Sequence, residues 1–217
     1  MAYTIKLAKS AGFCFGVKRA VDTAVRTATE QGGCYTYGPL IHNNSEIERL
    51  GTLGVKVTED YKTFDKEKGT LIIRSHGVEK AVTDYLTEKD IPYIDATCPF
   101  VAKIHSIVAK AEGTVIIAGD RTHPEVMGIV GHCNEGIKVI VIADEQELQK
   151  ELEALENYCE NALIMVAQTT YNSSKWQSCK RIAKKYYTNI KIFDTIYNLN
   201  IKVKHTIVIS ISVIRAT

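Results

Sequence analysis

Short unbroken apolar runs alternate along the chain with longer segments in which apolar residues return every three or four positions. The first of the longer segments carries Val17, Ala20, Val21, Ala24, Val25 and Ala28 on one face, which predicts a helix from about residue 17 that stops at Gly32 and Gly33. A short strand is expected ahead of it over 5–8, and another behind it over 34–37. A turn at Gly38 and Pro39 then leads to a short helix over 46–50, capped by Asn44 or Ser45. From there the alternation becomes regular. Strands are expected over 71–73, 93–94, 114–118, 139–142, 163–167 and 190–192. Helices are expected over 79–89, 101–112, 126–130, 145–155 with Asp144 as its cap, and 173–187. Strands that are apolar throughout are buried on both faces, so the pattern predicts an α/β protein built on parallel sheets.

The placement of the reactive side chains adds to this picture. His76, Cys98, His123, Glu125, Thr169 and Thr170 each fall just past the end of a predicted strand and before a helix. That is where open parallel sheets bind ligands. Cys14 stands between Gly12 and Gly16 where the first strand gives way to the first helix. The glycines permit unusual backbone angles and a close approach to the main chain, and the helix start favours a thiolate. A small cysteine buried in a turn is the plainer reading of the same position.

The chain also echoes itself. Asp95 precedes Cys98 by three positions at one strand end, and Asp194 precedes Tyr197 by three at another. This suggests repeated α/β units, each offering a tip residue to one centre.

Composition narrows the chemistry. With 217 residues, 45% apolar and 24% charged, the chain reads as globular, and its net charge of +2 with no basic run argues against nucleic acid as a partner. No segment has the length or apolarity of a signal core or membrane span, so a cytoplasmic protein with no membrane partner is expected. The six cysteines should then be reduced, and metal binding or catalysis is the question to put to them. Widely spaced cysteines on separate loops suit an iron–sulfur cluster better than zinc, which favours a close Cys-x-x-Cys pair that is absent here. Histidines on similar loops, His42, His76 and His123, suit a phosphate or diphosphate, or are ordinary loop residues. Glu125 reads as a proton donor or as a favourable charge at a helix start.

Five stretches taken in order carry a resemblance: 12–20, 74–77, 95–99, 119–125 and 167–170. Together they resemble the 4-hydroxy-3-methylbut-2-enyl diphosphate reductase family over about residues 6–196. The resemblance implies α/β lobes in a pseudo-threefold arrangement, 14–98 the first, 99–195 the second and 1–13 with 196–217 what there is of a largely missing third, around a [4Fe-4S] cluster held by three cysteines, with one iron open to substrate. It implies Cys14 and Cys98 as two of the ligands. His42, His76 and His123 would bind the substrate's diphosphate and hydroxyl region, Glu125 would donate the proton, and Thr169 and Thr170 would be its hydrogen-bonding neighbours. The implied reaction removes the hydroxyl of a small allylic diphosphate, with electrons from a ferredoxin or flavodoxin, and serves isoprenoid synthesis by the methylerythritol phosphate route.

The departure from the family falls at Tyr197, where the resemblance implies the third cysteine. Residues 198–217 hold no Asp or Glu and are rich in Ile and Val. A shifted reading frame near codon 197 is expected, with a lineage variant using a different third ligand as the other reading. The run over 206–214 would be an aggregation-prone edge if unpaired. Replacement of a third ligand by Cys133, Cys159 or Cys179 is not expected, since none lies in a matching motif. The alternative function is an inactive remnant that at most binds a diphosphate or a partner.

Overall fold

The structure is a computed structural model that describes residues 12–41, 43–155 and 162–197. The strand expected over 5–8, His42, Cys159 and the segment 198–217 lie outside the described residues. Two four-stranded sheets, both wholly parallel, carry the fold. The first contains β1 (Cys34–Tyr37), β2 (Val55–Thr58), β3 (Leu71–Ile73) and β4 (Tyr93–Asp95) in the order β2-β1-β3-β4. The second contains β5 (Thr114–Ala118), β6 (Val139–Ile142), β7 (Leu163–Ala167) and β8 (Lys191–Ile192) in the order β6-β5-β7-β8. The two orders are the same topology used twice.

The helices repeat with the strands. In the first unit they are α1 (Phe15–Gln31), α2 (Asn44–Thr52) and α3 (Lys80–Glu88). The second has α4 (Pro99–Val108), α5 (Pro124–Val130), α6 (Glu145–Leu155) and α7 (Ser173–Tyr186). Each unit opens on a helix, runs strand–helix–strand, and closes on strand–helix–strand. In the first unit a single 3₁₀ turn, Lys66–Lys68, stands where the second has α6.

Burial follows the expected logic. All of β3 and β7 is buried, with helices or loops on both faces of their sheets. Ala20, Val21, Ala24 and Ala28 of α1 pack on one face of the first sheet, while Val82 and Leu86 of α3 join the cluster on Leu71 and Ile73. On the second sheet, α4 and α5 pack against Val115 and Ile117, and α6 and α7 against Ile116 and Met165.

Three details differ from the sequence reading. β2 was not expected: its Val-Lys-Val-Thr alternation is short and polar because it is an edge strand, with Lys56 and Val57 exposed. The cap of α2 is Asn43, whose side chain accepts from the Glu46 N–H at 3.1 Å, one residue before the expected pair. Helices α1, α4 and α5 also begin two residues earlier than expected, directly after Cys14, Cys98 and His123. Proline at the first helical position is tolerated because its missing N–H has no intrahelical partner to lose, so Pro99 and Pro124 start helices.

Candidate functional site

The repeat determines where the tip residues stand. Cys14 is the N-cap of α1 and Cys98 the N-cap of α4, and neither side chain is used for capping. Both thiols are therefore available at helix starts. They line one cavity of about 410 Å³ at the strand ends, together with Ser75, His76, Phe100, Glu125, Thr169, Thr170 and Tyr197. Gly16 lies inside α1, so its role is close approach rather than an unusual angle. A Cβ built there would stand 2.5 Å from Cys98 Sγ and 2.9 Å from Cys98 Cβ. Only a glycine lets the first helix and the second thiol meet this closely. Arg19, one turn further along α1, donates to the Thr97 carbonyl at 2.7 Å and ties the same two segments together.

Tyr197 stands at the place the repeat reserves for a third tip. The Cys98 N–H donates to the Ser75 carbonyl at 2.9 Å, two residues past β3. The Tyr197 N–H donates to the Thr169 carbonyl at 2.8 Å, two residues past β7. The two backbones are held alike, and the difference is the side chain. The Tyr197 ring leans on Phe100, with centroids 4.4 Å apart.

Glu125 is only 2% exposed, too buried for the plain helix-start charge. Its carboxylate accepts from the Thr169 N–H at 2.6 Å and from the Thr169 hydroxyl at 2.8 Å. Burial raises its pKa above the ordinary carboxylate range, and the two Thr169 bonds hold the rise back. Thr170 faces the same cavity and accepts from Gln168 Nε2 at 3.0 Å. His76 lines the wall, and His123 stands next to it rather than in it, its ring edge-on to His76 with centroids 5.4 Å apart. His123 caps α5, its Nδ1 accepting the Glu125 N–H at 3.1 Å. Of the sequence-predicted residues the structure thus gathers Cys14, Cys98, His76, Glu125, Thr169 and Thr170 on one cavity, with His123 beside it. Ser75 and Arg19 were not anticipated. The repeat offers a signal for Ser75, which holds the position in the first sheet that Thr169 holds in the second.

The other described cysteines are packing residues. Burial pushes the thiols of Cys34, Cys133 and Cys179 up to about 11, and none of them lines the cavity. Among the described residues no group of three or more His, Cys, Asp or Glu could by itself hold a metal ion. The donor set suits an iron–sulfur cluster at two corners, through two thiols not used as caps that line the same cavity, and presents a phenol at the third.

A doubly repeated parallel α/β fold with thiols, imidazole and a buried acid gathered at its strand ends defines a class of protein whose ligand sits in the crevice between sheets. Residues 5–206 match the LytB protein family, and the chain belongs to that family. The protein named 4-hydroxy-3-methylbut-2-enyl diphosphate reductase in Thermoanaerobacter sp. (strain X514) is 41% identical over 199 residues, covering 88% of this chain and 66% of that one. Its namesake in Alkaliphilus oremlandii (strain OhILAs) is 38% identical, covering 88% and 67%. The solved structure of (E)-4-hydroxy-3-methyl-but-2-enyl diphosphate reductase, the terminal enzyme of the non-mevalonate pathway, aligns with a TM-score of 0.75 at 37% identity, covering 89% of this chain and 68% of that one. The chain therefore spans about two thirds of the length of the relatives it matches.

Proposed function

We propose that the chain is a [4Fe-4S] reductase that removes the allylic hydroxyl of 4-hydroxy-3-methylbut-2-enyl diphosphate, giving isopentenyl and dimethylallyl diphosphate. The observation that carries this reading is the meeting of Cys14, Cys98 and the buried Glu125 on one cavity, in a chain of this family. Cys14 and Cys98 are the residues that hold the cluster. When bound, it supplies electrons one at a time and a Lewis-acidic iron.

The chain's own residues bind the substrate and manage its proton. His42, His76 and His123 hold the diphosphate and hydroxyl region, since imidazole N–H groups suit phosphate oxygens. Glu125 holds its proton at higher pH than an exposed carboxyl because burial disfavours its charge, and it gives that proton to the departing hydroxyl. Once ionised, its carboxylate is received by the N–H and hydroxyl of Thr169, which already point at it. Thr170, held by Gln168, offers a second hydroxyl on the cavity wall. Ferredoxin or flavodoxin is the electron donor, and the setting is the cytoplasm, in keeping with the absence of a membrane-length apolar helix among the described residues. We divide the described chain into lobes over 14–98 and 99–195.

A second reading, an inactive remnant, is favoured by Tyr197 in the third corner. Iron and acid-labile sulfide after anaerobic reconstitution separate the two. About four of each per chain, lost in Cys14→Ser and Cys98→Ser, support the reductase. Iron held only by Tyr197→Cys supports the remnant. No iron in either overturns the cluster altogether.

A further inference from the structure

The outward face of α7 carries an unbalanced charge. Over Ser173–Tyr186 the helix holds Lys175, Lys180, Arg181, Lys184 and Lys185 and no Asp or Glu, in a chain whose net charge is +2. Trp176, Cys179 and Ala183 take the buried face, which leaves Lys175, Arg181, Lys184 and Lys185 exposed, while the Lys180 side chain is largely covered. Lys180 pairs with Asp194 at 2.8 Å, the one ion pair that α7 makes among the described residues. Among the described residues Arg181 reaches only the Ser178 hydroxyl, at 3.2 Å.

Lys180, Arg181 and Lys184 border a groove of about 940 Å³ between α7 and β8, with Ile190, Ile192 and Asp194 on its other side; Asp194 is paired with Lys180, which leaves Arg181 and Lys184 as the unbalanced charge there. Its breadth suits a convex protein surface better than a small anion, which needs enclosure. The groove begins where the wall of the catalytic cavity ends: Ser173 lines the cavity and the next residue, Ser174, lines the groove. Two occupants from this protein itself are opposed by charge. Residues 198–217 bring Lys202, Lys204 and Arg215 with no acid, and a second copy meeting α7 face to face would set cation against cation.

We propose that this face docks an acidic electron-transfer protein, an inference that rests on the reductase reading. Each encounter oxidises the carrier by one electron and reduces the chain's redox centre by one, so each removal of a hydroxyl takes two encounters. Opposite charge steers the carrier to the groove, next to the cavity, and the attraction fades as salt screens it.

The test titrates an oxidised flavodoxin of strongly negative net charge into the reconstituted full chain by calorimetry, at low and high salt. Arg181→Glu with Lys184→Glu should weaken binding by about tenfold or more and flatten its salt dependence. Lys56→Glu, on the edge strand of the other sheet, should leave it unchanged. Unchanged affinity in the double variant, or an equal loss with Lys56→Glu, overturns the docking face. Displacement of the flavodoxin by inorganic diphosphate also overturns it, by making the groove a small-anion site. Iron content, measured on the same samples, tests the reductase reading separately. A chain without iron that still binds through α7 refutes the reductase alone, and an iron-loaded chain indifferent to Arg181 and Lys184 refutes the docking face alone.

Discussion

His105 lies on the buried face of α4 with Val101, Ile104 and Val108, and is 7% exposed. Its ring stacks on His132, with centroids 3.8 Å apart, and among the described residues its Nε2 has no hydrogen-bond partner. Burial first, then the neighbouring His132, pushes its pKa down to about 4, against a weaker opposite pull from Asp95. An unfolded chain takes up this proton near pH 6.5, so between about pH 4 and 6.5 the unfolded state binds more protons than the folded one. Stability is therefore lost as pH falls through that window, by roughly 3 kcal/mol from this residue. His132 beyond the end of α5 and Asp95 on β4 are the charged or ionisable neighbours that act on it. Urea midpoints between pH 4 and 7 should fall steeply for the wild type and less for His105→Leu; parallel curves would place the acid sensitivity elsewhere. Nothing in the sequence distinguished this histidine from its apolar neighbours, since its spacing reads as helix core. The residues at strand ends were legible because chain position alone puts them at the crevice. Their mutual geometry, above all the Glu125–Thr169 pair, required the fold.

At the scale of elements, the two units meet along a seam of small residues. The Lys80 N–H at the start of α3 donates to the carbonyl of Gly131 at the end of α5, at 3.3 Å. A Cβ on Gly131 would come within 2.5 Å of Glu79 Cβ and 3.0 Å of its Cα, where backbone has to move. On Gly128, one turn back, the nearest atoms would be 3.4 Å away, an ordinary contact. Gly131→Ala should therefore cost about 1–3 kcal/mol of stability. Gly128→Ala should be neutral or gain up to about 1 kcal/mol from helix propensity. Chemical denaturation of the two variants reads the difference, and equal effects would mean that the seam is looser than it looks. Helix and strand order came through in the sequence because burial on both faces writes unbroken apolar runs. The weak edge strand β2 and the 3₁₀ turn over Lys66–Lys68 left no such mark, being mostly exposed. The starts of α1, α4 and α5 were misplaced by two residues because their caps are the site residues Cys14, Cys98 and His123, which are not the usual cap types.

For the whole molecule, the same four-strand order appears twice, and a third tip position ends the described chain at Tyr197. Phe13, Phe15 and Phe100 are 43%, 60% and 42% exposed beside the two thiols. The repeat was readable as an echo of short motifs, but the equivalence of Cys98 and Tyr197 rests on backbone hydrogen bonds that no spacing reveals. Helix α4 has a consequence for cooperativity. The residues that lead into it are anchored to the first unit, through the Cys98 N–H on the Ser75 carbonyl and Arg19 on the Thr97 carbonyl. Its body is buried against the other, with Ile104 and Val108 among Val115, Ile117 and Ile129. Neither sheet can come apart without tearing this helix from its partner, so the two open as one unit. In native-state hydrogen exchange the Cys98 amide should be as slow as that of Ile117 at the centre of the second sheet. A faster Cys98 would mean that the halves breathe separately, and that the distance between the two thiols fluctuates with them.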